Sequence, residues 1–175
     1  QPTPPIYVGF GSMASRDPEG MFKLVSDAVA QAGQRAVMIT GWSGLAIADV
    51  PPHMYVIDKA PHDWLFQQVK AVIHHGGAGT TAAGLRWGKP TFIIPHLGDQ
   101  VYWGRRMSEL GVGPKAVYRV DLTGEKLVAG IRALTTDDVM AKRAADIGAA
   151  IRSENGVSAG VQAILSEARR LGVTD

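Results

Sequence analysis

Residues 69–87 hold this chain to a narrow choice of folds. An apolar run, Val69-Lys70-Ala71-Val72-Ile73, passes into His74-His75-Gly76-Gly77-Ala78-Gly79-Thr80-Thr81 and then into the helix-like Ala82-Ala83-Gly84-Leu85-Arg86-Trp87. A buried strand that ends in a glycine-rich turn and opens a helix is the unit of an α/β fold. Such a turn presents unpaired backbone N–H groups and the positive end of a helix dipole, where phosphate binds well. Glycine lets the backbone come close to an anion, and a threonine hydroxyl or an imidazole N–H adds a donor. The local reading is a diphosphate cradle, set against a purely structural glycine turn.

The rest of the chain repeats the pattern. Apolar runs predict strands over 6–10, 35–40, 54–57, 69–74, 91–94 and 116–118. Helical spacing predicts helices over 18–33, 64–68, 80–87, 100–110, 124–134, 139–152 and 157–171. Asp17 is placed to cap the first of these, with Pro18 at its first position. Unbroken apolar runs, rather than apolar–polar alternation, indicate strands covered on both faces. The expected fold is a doubly wound parallel sheet, whose ligands sit beyond the carboxyl ends of the strands. Gly11-Ser12, the 74–81 turn and the 95–100 loop all lie at such ends.

Composition removes several alternatives. The 175 residues fit one domain, with a net charge of only +2 and no cysteine. Disulfides, thiolate zinc sites and cysteine nucleophiles are excluded. The charge is too small and too dispersed for a nucleic-acid footprint, and no apolar run is long enough to cross a bilayer. The opening Gln1-Pro2-Thr3-Pro4-Pro5 reads as a linker remnant of a longer protein. Residues 6–175 then form the domain.

Two motif look-alikes fail on context. Gly9-Phe10-Gly11-Ser12-Met13-Ala14 matches the dinucleotide fingerprint, but Arg16-Asp17-Pro18 delays the helix and the second strand ends Thr40-Gly41-Trp42, without the acidic residue that holds a ribose. Gly84-Leu85-Arg86-Trp87-Gly88-Lys89-Pro90 is one residue short of a P-loop and has proline where a hydroxyl must hold magnesium. Gly88 reads better as a helix C-cap.

Side chains of His74 and His75 project to opposite sides of the strand end, so one should lie in the core. His75 is assigned to the core and His74 to the ligand. Asp99-Gln100 starts the next helix, and a carboxylate beside an amide is suited to grip neighbouring sugar hydroxyls. Trp42, Trp64 and Trp103 read as packing residues, and Arg105, Arg106, Arg169 and Arg170 as solvated charges. No Asp/Glu/His cluster is spaced for a divalent metal, so neither metal nor other cofactor is expected.

Pro61-His62-Asp63-Trp64-Leu65-Phe66, the 74–85 run, Gly88, Pro90-Thr91, Pro95 and Gly98-Asp99-Gln100 closely resemble the donor-binding half of sterol 3β-glucosyltransferases. Tyr7-Val8-Gly9-Phe10-Gly11-Ser12-Met13, Gly33-Gln34-Arg35, Gly41-Trp42, Trp103-Gly104 and Leu110-Gly111-Val112-Gly113-Pro114 extend the resemblance. Bacterial antibiotic glycosyltransferases share a looser version. The resemblance implies the C-terminal, nucleotide-sugar domain of a GT-B enzyme of the UDP-glycosyltransferase superfamily. It implies that Gly11, Ser12, His74, Gly77, Ala78, Gly79 and Thr80 hold the diphosphate, and Asp99 and Gln100 the sugar. The base is expected against 58–64, with Lys59, His62 and Trp64 as contacts. Plant small-molecule glycosyltransferases carry a uracil-stacking tryptophan where Lys59 aligns, and a ribose-binding glutamate where Ala82 aligns. The implied activity is inverting transfer of a hexose, UDP-glucose being the donor, to a sterol-like or other lipophilic hydroxyl. A polyketide acceptor with another UDP- or dTDP-sugar, and a non-catalytic nucleotide-binding module, are the alternatives. The catalytic base is expected in an absent N-terminal acceptor domain, so this chain alone should bind donor and turn over almost nothing. A cytoplasmic location is expected, with peripheral membrane attachment of the full-length protein left open.

Overall fold

The computed structural model describes residues 3–10, 17–39 and 49–173. Five parallel strands, β1 (Ile6–Gly9), β2 (Ala36–Ile39), β3 (Met54–Ile57), β4 (Val72–His74) and β5 (Thr91–Ile93), form one sheet in the order β3-β2-β1-β4-β5. Helices α1 (Pro18–Gln31), α2 (His62–Gln68), α3 (Ala78–Arg86), α4 (Gln100–Glu109), α5 (Gly124–Thr136), α6 (Asp138–Ser153) and α7 (Gly156–Arg170) alternate with them or follow. The parallel α/β class read from the sequence is the observed one.

Both sheet faces are covered, which is why the strands are apolar without alternation. Ile6 and Val8 of β1, Met38 of β2, Ile73 of β4 and Phe92 of β5 face α1 and α5, packing on Phe22, Val25, Val29, Leu127 and Ile131. Tyr7 and Val72 face the other way, onto Leu65 and Phe66 of α2 and Trp87 beyond α3. Ile93 completes that second face with Met107 of α4 and Ala144 of α6. At roughly 1.5–3 kcal/mol for each large apolar side chain removed from water, these two layers outweigh any single polar contact in the domain.

Local signals end the elements where the sequence placed them. Asp17 accepts a hydrogen bond from the Gly20 amide at 2.8 Å and caps α1. Gly88 sits at φ 64 just past α3 and donates to Leu85, a left-handed C-terminal cap rather than part of a phosphate loop. One expected strand is absent. Residues 116–118 run beside β5 but contribute only Val117 N–H to Ile93 O at 3.4 Å, then Arg119 N–H to Pro95 O. These bonds run one way only among the described residues, since Pro95 has no N–H to return, and the segment turns into a single helical turn, Arg119–Asp121.

Candidate functional site

The register places the ends of β1 and β4 side by side, Gly9 opposite His74 and Tyr7 opposite Val72. Here the connections leave to opposite sides: β1 has β2 on one flank and β4 on the other. Such a switch point opens a crevice beyond the carboxyl ends. The 74–81 turn and the 95–100 loop both enter it.

The turn is held by Gly76. Its φ is 99, a conformation that L side chains rarely adopt, and a Cβ there would stand 2.8 Å from Ile93 Cγ2 and 3.0 Å from the Gln100 carbonyl oxygen. The turn therefore packs backbone-close against the start of α4. Gly77 then serves as the N-cap of α3 and offers no side-chain cap. The amides of Ala78, Gly79 and Thr80 in the first turn have no side-chain partner among the described residues, and no acidic residue occupies that turn. On the Cβ side of Gly79 no atom of the described residues lies within 4 Å. An uncapped helix N-terminus with room in front of it suits an anion.

The facing of the two histidines is the reverse of the sequence expectation. His74, assigned to the ligand, is fully buried, and its Nδ1 accepts the Gly76 N–H at 3.0 Å. That bond fixes the neutral ring's proton on Nε2, which has no partner among the described residues. Burial, and then the nearby His75 and His62, push its pKa down to about 3. His75, assigned to the core, is only half-buried. Its Nε2 lies 2.7 Å from where a Cβ on Gly77 would be, so the ring rests on the mouth of α3. The reversal has a cause: β4 stops at His74, and the left-handed Gly76 turns the chain before the strand's alternation can continue. Burial lowers the His75 pKa, helped by His96 and opposed by Asp99 and the Gly9 backbone.

The second loop is bound to itself. Gln100 is buried, and its Oε1 accepts the amides of His96 at 2.7 Å and Leu97 at 3.2 Å. Asp99 is exposed and stands at the N-cap of α4, yet its side chain makes no cap bond. Its Oδ2 instead accepts from Trp103 Nε1 at 3.2 Å. Asp99 is thus presented to the crevice, whereas Gln100 shapes the loop. His96, which sequence reasoning passed over, joins them; its place between Pro95 and Asp99 was the available signal.

Residues at the expected base site are spread out. Lys59 is exposed in the link between β3 and α2. His62 stacks on Phe66 at 4.7 Å and 15° and stands edge-on to Tyr7, whose hydroxyl is 3.4 Å from its Nε2. Burial pushes the Tyr7 pKa up to about 12. Trp64, expected to pack, is 59% exposed, because α2 turns it away from the Leu65–Phe66 face. Trp103 does pack, against the Ile93–Met107 cluster. Gly11, Ser12 and Trp42 lie outside the described residues. Among the described residues no helix is long and apolar enough to cross a membrane.

Residues 23–164 match the family described as erythromycin biosynthesis protein CIII-like, C-terminal domain. A sterol 3-beta-glucosyltransferase of Arabidopsis thaliana is 40% identical over 163 residues, 92% of this chain and 26% of that protein. One from Neosartorya fischeri is 41% identical over 168 residues, 91% of this chain and 12% of that protein. The chain thus spans about a quarter or less of the length of these relatives. Among solved structures, the calicheamicin glycosyltransferase CalG4 superposes with a TM-score of 0.84 at 21% identity, over 97% of this chain and 44% of that one. Glycosyltransferase VinC, solved in complex with dTDP, gives 0.68 at 25% identity over 87% of this chain and 38% of its own. The chain belongs to the erythromycin biosynthesis protein CIII-like C-terminal domain family and has the Rossmann-like fold of the C-terminal half of GT-B glycosyltransferases.

Proposed function

We propose that this chain is the donor-binding half of an inverting glycosyltransferase that moves a hexose, glucose from UDP-glucose, onto a hydroxyl of a sterol-like or other lipophilic acceptor. The observation that carries the reading is the uncapped N-terminus of α3, with the His75 ring at its mouth and Asp99 across the crevice. The 40% identity to sterol 3-beta-glucosyltransferases over most of the chain supports the sugar and acceptor class.

Transfer expels a nucleoside diphosphate whose charge grows as the glycosidic bond breaks. The amides of Ala78, Gly79 and Thr80 and the α3 dipole are fixed before the reaction and stabilise that growing charge. His75 replaces His74 as the imidazole that meets the diphosphate. Asp99 grips sugar hydroxyls and sets the anomeric carbon in line for attack. Gln100 contributes by holding the loop that carries Asp99. The base that deprotonates the acceptor comes from an N-terminal domain, so the chain alone binds donor with little turnover.

Titration calorimetry tests the donor. UDP should bind more tightly than UMP, ATP or NAD, with an affinity that chelator leaves unchanged. Equal or tighter NAD binding would overturn the reading. A dTDP-sugar with a polyketide acceptor is the second reading, favoured by the antibiotic-biosynthesis family match and by VinC, whose structure holds dTDP. Preference for dTDP over UDP in the same titration would select it.

A further inference from the structure

Loop 95–100 brings a second imidazole to the crevice. His96 Nδ1 lies 3.1 Å from the Ile94 carbonyl oxygen. A carbonyl can only accept, so Nδ1 carries the proton and Nε2 of the neutral ring is an acceptor. The backbone N–H of His96 is tied to Gln100, and its ring centroid stands 5.9 Å from that of Phe10, just past β1. Ring and backbone are both held.

His75, on the neighbouring turn, senses the charge of His96. Among the described residues, the groups that face the pair are few. Asp99 and the Gly9 backbone favour charge on His75; Arg119 opposes charge on His96, while the Ile94 carbonyl favours it. The neutral His74 ring stands edge-on to His75 at 5.9 Å, and Phe10 is apolar. One carboxylate against one guanidinium leaves two half-buried rings with little net counter-charge. Both rings are held below the ordinary imidazole pKa, by burial first.

We propose that His96 is a second donor-binding imidazole, which acts with His75 as a pair that takes up a proton when a diphosphate seats at the N-terminus of α3. The inference rests on the donor-site reading above. A bound diphosphate adds net negative charge to that balance, so protonation of one ring becomes favourable. A second proton is repelled by the first, and the pair titrates as a unit. The sign follows from linkage: affinity is greatest below the pKa of the free pair and falls as pH rises to that of the bound pair.

Calorimetry of the chain with UDP-glucose between about pH 6 and pH 8 reads this directly. The diphosphate of UDP-glucose keeps a constant charge over that range. Repeating the titration in buffers of different ionisation enthalpy counts the protons. Uptake of up to about one proton is expected, with affinity falling by at most about tenfold per pH unit. His96→Phe keeps a ring against Phe10 and should reduce the uptake and flatten the slope; His96→Gln should do the same, with thermal melting confirming that both variants fold. Histidine ring-proton resonances in the wild type should titrate at higher pH once UDP-glucose is added. Tight UDP-glucose binding without proton uptake, or uptake unchanged in both folded variants, overturns the pair and leaves the donor reading standing. Failure of UDP-glucose to bind the wild type overturns both.

Discussion

The 74–81 turn and the 95–100 loop meet at one crevice but spend their polar groups in opposite ways. Among the described residues, the turn leaves the first amides of α3 without a side-chain cap and the Cβ side of Gly79 without a neighbour within 4 Å. The loop consumes its own amides: Gln100 takes two of them, and Asp99 is steadied by Trp103. In the donor-site reading proposed above, one receives the diphosphate and the other holds a carboxylate at a set height. A binding site of this kind needs both, because open donors confer affinity and a rigid loop confers orientation.

The joint between the two is where the contrast breaks most easily. Gly76→Ala forces a side chain into φ 99 and against Ile93 and the Gln100 backbone. A loss of about 2–4 kcal/mol in denaturant unfolding is expected, from backbone strain plus overpacking. An unchanged midpoint would mean that the two loops are not coupled through Gly76.

Gln100→Ala should come next, at about 1–3 kcal/mol, since two loop amides lose their acceptor. In a full-length enzyme it should lower turnover more than UDP affinity, because orientation is lost before the diphosphate contacts are. Equal losses in both would place Gln100 on the donor itself.

The smallest effect separates the receiving surface from the fold. Gly79→Ala puts a methyl where nothing lies within 4 Å, so stability should change by less than about 1 kcal/mol while UDP affinity drops. His74 supplies the opposite control. Its pKa is lowered to about 3 in the folded chain, so its contribution to stability is complete above the ordinary imidazole value and is lost as pH falls from there toward 3. The slope should reach about 1.4 kcal/mol per pH unit in that window. His74→Asn keeps an acceptor for the Gly76 amide and should flatten it.

Much of this was legible in the sequence because the strands are largely apolar runs and several helices carry a capping residue at one end. Asp17 and Gly88 act at the positions where their chemistry placed them, whereas α3 starts two residues earlier than its spacing indicated, at Ala78 after Gly77. What escaped was decided by tertiary geometry over one or two residues. Alternation predicts opposite faces for His74 and His75 but not which is inside; the end of β4 and the left-handed Gly76 settle that. The 116–118 segment has strand composition, but it lies along β5 without forming a ladder. The bonds from the His96 and Leu97 amides, four and three residues back, to Gln100 Oε1 are likewise invisible in a linear reading.

The position of β1 has a consequence for how the domain is made. It is the first strand in the chain, yet it lies at the centre of the sheet, with β2 and β3 on one side and β4 and β5 on the other. As the chain emerges from N to C terminus, the β1–β2–β3 half can pair while one flank of β1 stays bare. Only the arrival of β4 covers that flank, and only then do Gly9 and His74 come abreast and the crevice exist. The pairing is long-range and so among the slower steps of assembly. A ligand bound across that seam would bind the paired strands and not their precursors, and so would stabilise the β1–β4 pairing.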